Sequence, residues 1–327
     1  MLAPPSSLTN SEIELWDSLC TRLITLNERV WEDIANGPAI SEWLKNFVGK
    51  TGRHQDIEKL HALYLLSQFM YFGTDEIRVL LKSLFRDLYL IPLAQRVRER
   101  TSSFDEFNEI MNLERASTRF LGVGNPSESG VHLLYYFRQE NGLSKNAFLD
   151  AAQIYKSSDE EAKQRVLRYA DVKRYVFIDD MCGSGETAVR YSTDLLPDLV
   201  NQMPDAELYY FSLFGTKDGL DRVRRESKFG KNCGAVYELD SSYKWADSNS
   251  RYFSNIAADL DRQLLADLAK TYGEVICPEH PLGYEQSQLL LGFSHNTPDN
   301  TLPVIWSDME HGSPSRWYPI FRRYQKI

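Results

Sequence analysis

The sequence predicts an α/β protein, in which a mostly parallel sheet follows an N-terminal all-helical domain. Two observations support this class. In residues 11–115 apolar side chains recur at spacings of three and four, as in amphipathic helices. From residue 116 onwards, short apolar runs alternate with helical patterns, which is typical of parallel sheets. We therefore expect a flexible tail over 1–10, a helical, winged-helix-like domain over 11–115 and an α/β domain over 116–327.

The composition excludes several classes of protein. The chain has 327 residues with 37 basic and 46 acidic side chains, a net charge of −9, which argues against bulk coating of nucleic acid. No run approaches the roughly 18 apolar residues of a membrane helix, and the N-terminus lacks the pattern of a secretory signal. The four cysteines show no CxxC spacing. Free thiols, no disulfide framework and a cytoplasmic location are therefore expected.

In the α/β part we predict four strands, followed by a closing segment with two more. The four are centred on the runs RFLG, KRYVFIDD, AELYYFSLF and GAVYEL. The closing segment, QLLLGFSHNTPDNTLPVIW, predicts two strands around a long polar loop, after a helix over 252–271.

The most informative stretch is YVFIDDMCGSGET, residues 175–187. It predicts a buried strand that ends in Asp179 and Asp180, then a small-residue loop that opens a helix. Ligands of α/β sheets bind at the carboxyl ends of strands, and a glycine-rich turn before a helix presents N–H groups to a phosphate. Ser184 and Thr187 add hydroxyl groups, while the acids can accept from ribose hydroxyls or bind Mg²⁺ through water. The plain alternative is a strand, turn and helix with an aspartate cap.

The same stretch resembles the ribose-phosphate motif of the type I phosphoribosyltransferases. That motif has four apolar residues, two acids, two variable residues, a small or acidic residue, Thr or Ser, Gly, any residue and Thr. The resemblance implies that Asp179 and Asp180 are the catalytic pair and face the ribose of phosphoribosyl pyrophosphate (PRPP), with Mg²⁺ bound indirectly through them. The residues that would wrap the 5′-phosphate are Gly183, Ser184, Gly185, Glu186 and Thr187.

Two alternatives remain open at this point. Many purine-salvage members of that family carry an aspartate base where this chain has Gly183, which favours a PRPP- or nucleotide-binding regulator without turnover. The string DDMCGSG is also similar to motif I of S-adenosylmethionine-dependent methyltransferases. Against this second alternative, the next strand does not end in an acid for the cofactor ribose, and no Asn/Asp-Pro-Pro-Tyr string follows.

An upstream loop predicts a place for the diphosphate. The run FLGVGNPSESG, residues 120–130, is a strand followed by small residues and then a helix. Ser127, Ser129 and the N–H group of Gly130 can hold a diphosphate there, although a plain turn explains the composition equally well.

The closing string HNTPDNTLPVIW is similar to the end of phosphoribosyltransferase-like proteins of bacterial conflict systems, some of them encoded beside retron reverse transcriptases. The resemblance implies an antiphage effector, whose helical N-terminal domain docks a partner protein or ribonucleoprotein. His295, Asn296 and Asn300 offer donors and acceptors to a base or acceptor substrate, on which Trp306 can stack. The alternative is that Asn and Pro fix a tight loop while Trp306 fills the core.

Overall fold

The chain folds into two compact units, seen in a computed structural model that describes residues 2–124, 129–156, 165–308 and 317–324. The terminal unit combines Met1–Glu76 with Asp240–Ile327, and the sheet unit is Ile77–Leu239. These units do not coincide with the predicted domains 11–115 and 116–327. The physical reason is that the chain after Leu239 returns to the N-terminal helices, where it packs a long helix against them.

Within the described residues, the helices are α1 (Asn10–Arg29), α2 (Gly37–Leu44), α3 (Gln55–Ser67), α4 (Thr74–Ser83), α5 (Ile91–Arg98), α6 (Phe104–Ala116), α7 (Ser129–Glu140), α8 (Glu186–Leu195), α9 (Pro197–Gln202), α10 (Lys217–Glu226), α11 (Arg262–Ile276) and α12 (Pro303–Trp306). The strands there are β1 (Met70–Phe72), β2 (Thr118–Gly122), β3 (Tyr155–Lys156), β4 (Val166–Leu167), β5 (Arg174–Cys182), β6 (Glu207–Thr216), β7 (Cys233–Leu239) and β8 (Leu291–Phe293). A π-helical segment, Leu84–Leu90, joins α4 to α5.

The sheet unit contains a parallel sheet with the strand order β2-β5-β6-β7. A parallel bridge between Phe120 and Phe148 extends it beyond β2, where the Leu149 N–H donates to the Phe120 carbonyl at 3.1 Å. The chain therefore moves outward from β2 to Phe148 and then returns past β2 to form β5. The strand order reverses between β2 and β5, and ligands of such sheets bind at this switch point.

Both faces of this sheet are covered, as its continuous apolar strands require. On one face Phe120 packs against Phe85 of the π-helical segment and Phe137 of α7, with ring centroids 6.0 and 5.1 Å apart. On the other face Phe177 and Leu220 belong to the core that β5 shares with α8, α9 and α10. The predicted fold class, α/β with a mostly parallel sheet, is confirmed.

The terminal unit is mainly helical and is built around aromatic side chains. Phe47 lies edge-on to Trp43 and Tyr272, with ring centroids 4.9 and 5.0 Å apart. The segment before α1, predicted as a flexible tail, packs on this unit: Leu8 is buried, and the Trp16 indole donates to the Leu2 carbonyl at 3.1 Å.

Three elements differ from the sequence predictions. The all-helical range 11–115 contains the short strand β1, which pairs in parallel with β8 and places Tyr71 opposite Gly292. The predicted strand LPVIW is the helix α12, because Pro303 at its first turn favours a helix start. The helix predicted over 252–271 begins only at Arg262, where Asp261 caps it. No helix of the described chain is long and apolar enough to span a membrane.

Candidate functional site

Strand β5 extends past the end of β2, and the predicted acid pair lies in this extension. The pairing of β2 with β5 ends where Gly122 lies opposite Ile178, whereas β5 stays paired with β6 through Cys182. Asp179 and Asp180 therefore lie at the carboxyl end of the sheet, beside the switch point between β2 and β5. This is the position in which α/β sheets bind ligands.

The Asp179 carboxylate is almost completely buried, with 8% of the residue exposed. It accepts a hydrogen bond from the Tyr210 hydroxyl and another from the Asp180 N–H, both at 3.0 Å. Burial, and next the neighbouring Asp180 carboxylate, raise the pKa of Asp179 well above its usual range. Asp180 is partly exposed and is therefore the more accessible acid of the pair.

The loop after β5 has the backbone of a helix start that offers N–H groups. Gly185 precedes α8 with a φ of +76°, and a Cβ there would lie 2.5 Å from the Gly219 carbonyl oxygen, so only glycine fits. Ser184 Oγ accepts from the Glu186 N–H at 3.3 Å, and Thr187 is exposed. The N–H groups of the first turn of α8, at the positive end of its dipole, are the donors that an anion would use.

The upstream loop is described only at its two ends. The Val123 N–H donates to the Ile178 carbonyl at 3.0 Å, which holds the end of β2 against β5. Ser127 lies outside the described residues. Ser129 and Gly130 are the first two residues of α7. The diphosphate site remains a prediction, at a helix start that follows the neighbouring strand.

The polar side chains of the closing string lie in the terminal unit and bond within it. Asn300, 5% exposed, donates to Ser287 Oγ at 2.9 Å. The Thr301 hydroxyl donates to the Leu291 carbonyl at 2.5 Å, and the Trp306 indole donates to the Thr301 carbonyl at 2.7 Å. These hydrogen bonds hold the closing loop in place, as the structural alternative for the string predicts.

The first half of that string behaves similarly. Asn296 Oδ1 accepts from the Thr297 and Tyr324 N–H groups, both at 3.0 Å. The His295 ring stacks on Phe293, with centroids 5.4 Å apart. A base-binding role for His295, Asn296, Asn300 and Trp306 therefore remains a prediction, while the acid pair and its loop belong to the sheet unit.

Sequence reasoning missed three residues around the acid pair and the loop, namely Tyr210, Thr216 and Gly219. Tyr210 stands in an apolar strand pattern, and its contact with Asp179 depends on the register between β5 and β6, which the sequence does not display. Thr216 and Gly219 form the start of α10, where a Thr before a helix could have been recognised as an N-cap.

Comparison with known proteins identifies the family. A model of the PRTase-CE family matches residues 40–323. Among solved structures, the chain is similar to the Helicobacter pylori xanthine-guanine-hypoxanthine phosphoribosyltransferase, with 13% identity, a TM-score of 0.23, and coverage of 42% of this chain and 89% of that chain. The AQ2163 protein from Aquifex aeolicus also shows 13% identity, with a TM-score of 0.28 and coverage of 63% and 84%.

TM-scores of 0.23 and 0.28 are too low to assign a function to this chain. No curated protein matches the chain. The family match is different in kind, because it spans well over half of the residues. The chain belongs to the PRTase-CE family and is a phosphoribosyltransferase-like protein.

Proposed function

We propose that the sheet unit binds PRPP or a related ribosyl nucleotide at Asp179–Thr187 and transfers its phosphoribosyl group. The observation that carries this proposal is the arrangement at the carboxyl end of β5. There the carboxylate pair is followed by a loop in which Gly185 has a left-handed backbone conformation, and then by the N-terminus of α8. This arrangement lies beside the switch point of the sheet. Acids suit ribose hydroxyls, and N–H groups at a helix start suit a phosphate.

Each residue has a role in this proposal. The N–H groups of the loop and of the first turn of α8 hold the 5′-phosphate, and the partly exposed Asp180 accepts from the ribose hydroxyls. Asp179, whose carboxylate accepts from the Tyr210 hydroxyl, is the second acid on the ribose side of the site. In the reaction the bond from C1 to the diphosphate breaks while the acceptor forms a new bond to C1. Nearby carboxylates stabilise the positive charge that develops on the ribose ring.

The residues present are compatible with Mg²⁺ bound together with the substrate. Within the described residues, no group of three or more His, Cys, Asp and Glu could hold a metal ion. Mg²⁺ commonly uses one or two carboxylates together with substrate phosphates and water, and Asp179 and Asp180 can supply that share. When bound, the ion neutralises the charge of the diphosphate leaving group.

A specific observation favours a second candidate, a PRPP- or nucleotide-binding regulator without turnover. Gly183 stands where many purine-salvage phosphoribosyltransferases have an aspartate base. Asp179 is a poor substitute, because it is buried and its two carboxylate oxygens already accept from the Tyr210 hydroxyl and the Asp180 N–H. The methyltransferase alternative has less support, because β6 ends at Gly215-Thr216 with no acid for a cofactor ribose.

For the biological role we propose an effector of bacterial antiphage defence, of the retron-associated kind, acting in the cytoplasm. The support is the closing string, together with membership of a phosphoribosyltransferase-like family. In this proposal the helical region 11–115 docks a partner protein or ribonucleoprotein.

Titration calorimetry with PRPP and Mg²⁺, followed by an assay for released pyrophosphate, tests the proposal. Binding with release when acceptors are supplied supports the transferase, binding without release supports the regulator, and no binding contradicts both. The double variant Asp179→Asn/Asp180→Asn should weaken affinity at least about 100-fold, because it removes the Asp180 charge that accepts from the ribose hydroxyls and the acid beside it. The matched control, Asp194→Asn/Asp205→Asn, changes two exposed acids and should leave affinity unchanged.

A further inference from the structure

The first turn of α10 packs directly against the loop that follows β5. Thr216 caps α10, since its hydroxyl oxygen accepts from the Gly219 N–H at 3.0 Å. The same hydroxyl donates to the Gly183 carbonyl at 2.5 Å. A single hydroxyl group thus begins one helix and fixes a peptide of the loop that begins another.

The two backbones also touch without intervening side chains. A Cβ on Gly219 would lie 2.1 Å from the Gly183 carbonyl oxygen, and a Cβ on Gly185 would lie 2.5 Å from the Gly219 carbonyl oxygen. Both distances are shorter than real Cβ contacts, so the loop and the helix can approach this closely only with glycine at both positions.

The link from Thr216 has a geometric consequence for the N–H group of Ser184. In a trans peptide the carbonyl of one residue and the N–H of the next point in opposite directions. Because Thr216 holds the Gly183 carbonyl toward α10, the Ser184 N–H must point away from α10. The orientation of one loop donor is therefore set by Thr216, the last residue of the next strand, β6.

We infer that Thr216 and Gly219 are positioning residues of the loop 183–187, which fix the Gly183–Ser184 peptide with its N–H group turned toward the anion. The inference rests on the proposed function of Asp179–Thr187, and it extends that function to residues that do not touch the ligand. A loop that is already ordered before binding has a higher affinity for an anion, because its donors lose little conformational entropy when the anion binds.

The first test compares Thr216→Val with Thr216→Ser, using ribose 5-phosphate as the ligand. Valine keeps the shape but loses both hydrogen bonds, so the Kd should rise about tenfold, whereas serine should restore most of the affinity. Thr9→Val is the matched control, because Thr9 caps α1 in the terminal unit. Its affinity should equal that of the wild type.

The second test is Gly219→Ala. Alanine is the better helix former, so a residue that served only α10 would tolerate the change. The contact with the Gly183 carbonyl instead predicts a larger loss of affinity than that of Thr216→Val, because the loop must shift. Gly37→Ala in α2 is the control, since a Cβ there would meet nothing within 4 Å.

The ¹³C chemical shift of the Gly183 carbonyl, measured by NMR without ligand, separates the two levels of the proposal, because this carbonyl accepts the Thr216 hydrogen bond. The shift should change in Thr216→Val and Gly219→Ala, but not in Thr216→Ser or Thr9→Val. If this pattern holds while the wild type binds no ribose 5-phosphate, the link exists and the proposed function is wrong. If the wild type binds and Thr216→Val changes neither affinity nor the shift, the positioning role is overturned. If the wild type does not bind and the variants do not show the shift pattern, both are overturned.

Discussion

Two polar strings stand out in the sequence, and the structure treats them differently. In the terminal unit, the side chains of Asn300, Thr301 and Trp306 donate to groups of the same unit. In the sheet unit, Asp179 and Asp180 are adjacent acids at a strand end, followed by a loop of backbone donors. Folding alone accounts for the first set of contacts. It does not account for the second, because a buried carboxylate beside another costs stability.

The difference teaches that the electrostatic cost of a buried group separates a candidate site from a structural string better than residue types do. Hydrogen bonds pair the polar groups of both strings, but only Asp179 is a buried acid beside a second acid. Buried polar groups are nearly always paired in folded proteins, so an internally paired string needs no ligand to explain it. A buried acid with a raised pKa destabilises the fold at neutral pH, and an asparagine in its place would not. Such destabilising groups are concentrated at functional sites.

The largest expected effect comes from Gly185→Ala. A left-handed backbone and a Cβ 2.5 Å from the Gly219 carbonyl oxygen together should lower the free energy of unfolding by about 3 kcal/mol and abolish binding of ribose 5-phosphate. Gly142→Ala is the control, because Gly142 also has positive φ but its Cβ would meet nothing within 4 Å. Urea unfolding and calorimetry measure both effects. Equal effects of the two variants would contradict a special role for the loop.

Thr301→Val tests the other string. Thr301 is completely buried, and its loss leaves the Leu291 carbonyl without this donor, which should cost about 2 kcal/mol of unfolding free energy. Affinity for ribose 5-phosphate should not change. Thr21→Val removes a comparable bond from an exposed threonine of α1 and should cost much less. Weaker ligand binding in Thr301→Val, with its stability preserved, would reverse the comparison between the strings.

The smallest effect should come from Asp179→Asn, and its sign is diagnostic. Because the pKa of Asp179 is raised by folding, its stabilising contribution is present below the unfolded pKa of about 4 and is lost as pH rises through the folded pKa. Asparagine keeps an acceptor for Tyr210 and carries no charge. The variant should therefore be more stable than the wild type at neutral pH, by about 1 kcal/mol, with a difference that grows from pH 4 upwards.

Thermal unfolding across pH 4 to 8 measures this difference, with Asp194→Asn as an exposed control. A stability difference that shrinks as pH rises would contradict the raised pKa and with it the contrast between the two strings.

Local chemistry accounts for the parts of the fold that the sequence predicted. The apolar run of β5, the acids and the loop glycines are consecutive residues, so their pattern is complete within one short window. By contrast, β1 is only three residues long and its partner β8 lies far along the chain, so periodicity carries no sign of it. The second unit boundary, at Asp240, has no linker composition, because the chain there continues directly into packed structure.

The contacts that set the site were harder to predict than its motif. Tyr210 reaches Asp179 only through the register of two strands, and Thr216 reaches Gly183 only after β6 and the start of α10 are in place. Both are tertiary contacts between segments about 30 residues apart, and a single sequence shows such contacts only after the sheet is known.

A crystal structure of the full chain with ribose 5-phosphate tests the central claim most directly. We predict that the phosphate lies against the N–H groups of Ser184 to Thr187, with the ribose hydroxyls at Asp180 and with Asp179 still bonded to Tyr210. A phosphate bound instead among His295, Asn296 and Asn300, or a loop at Gly183–Thr187 that stays without ligand at saturating concentration, would contradict the claim.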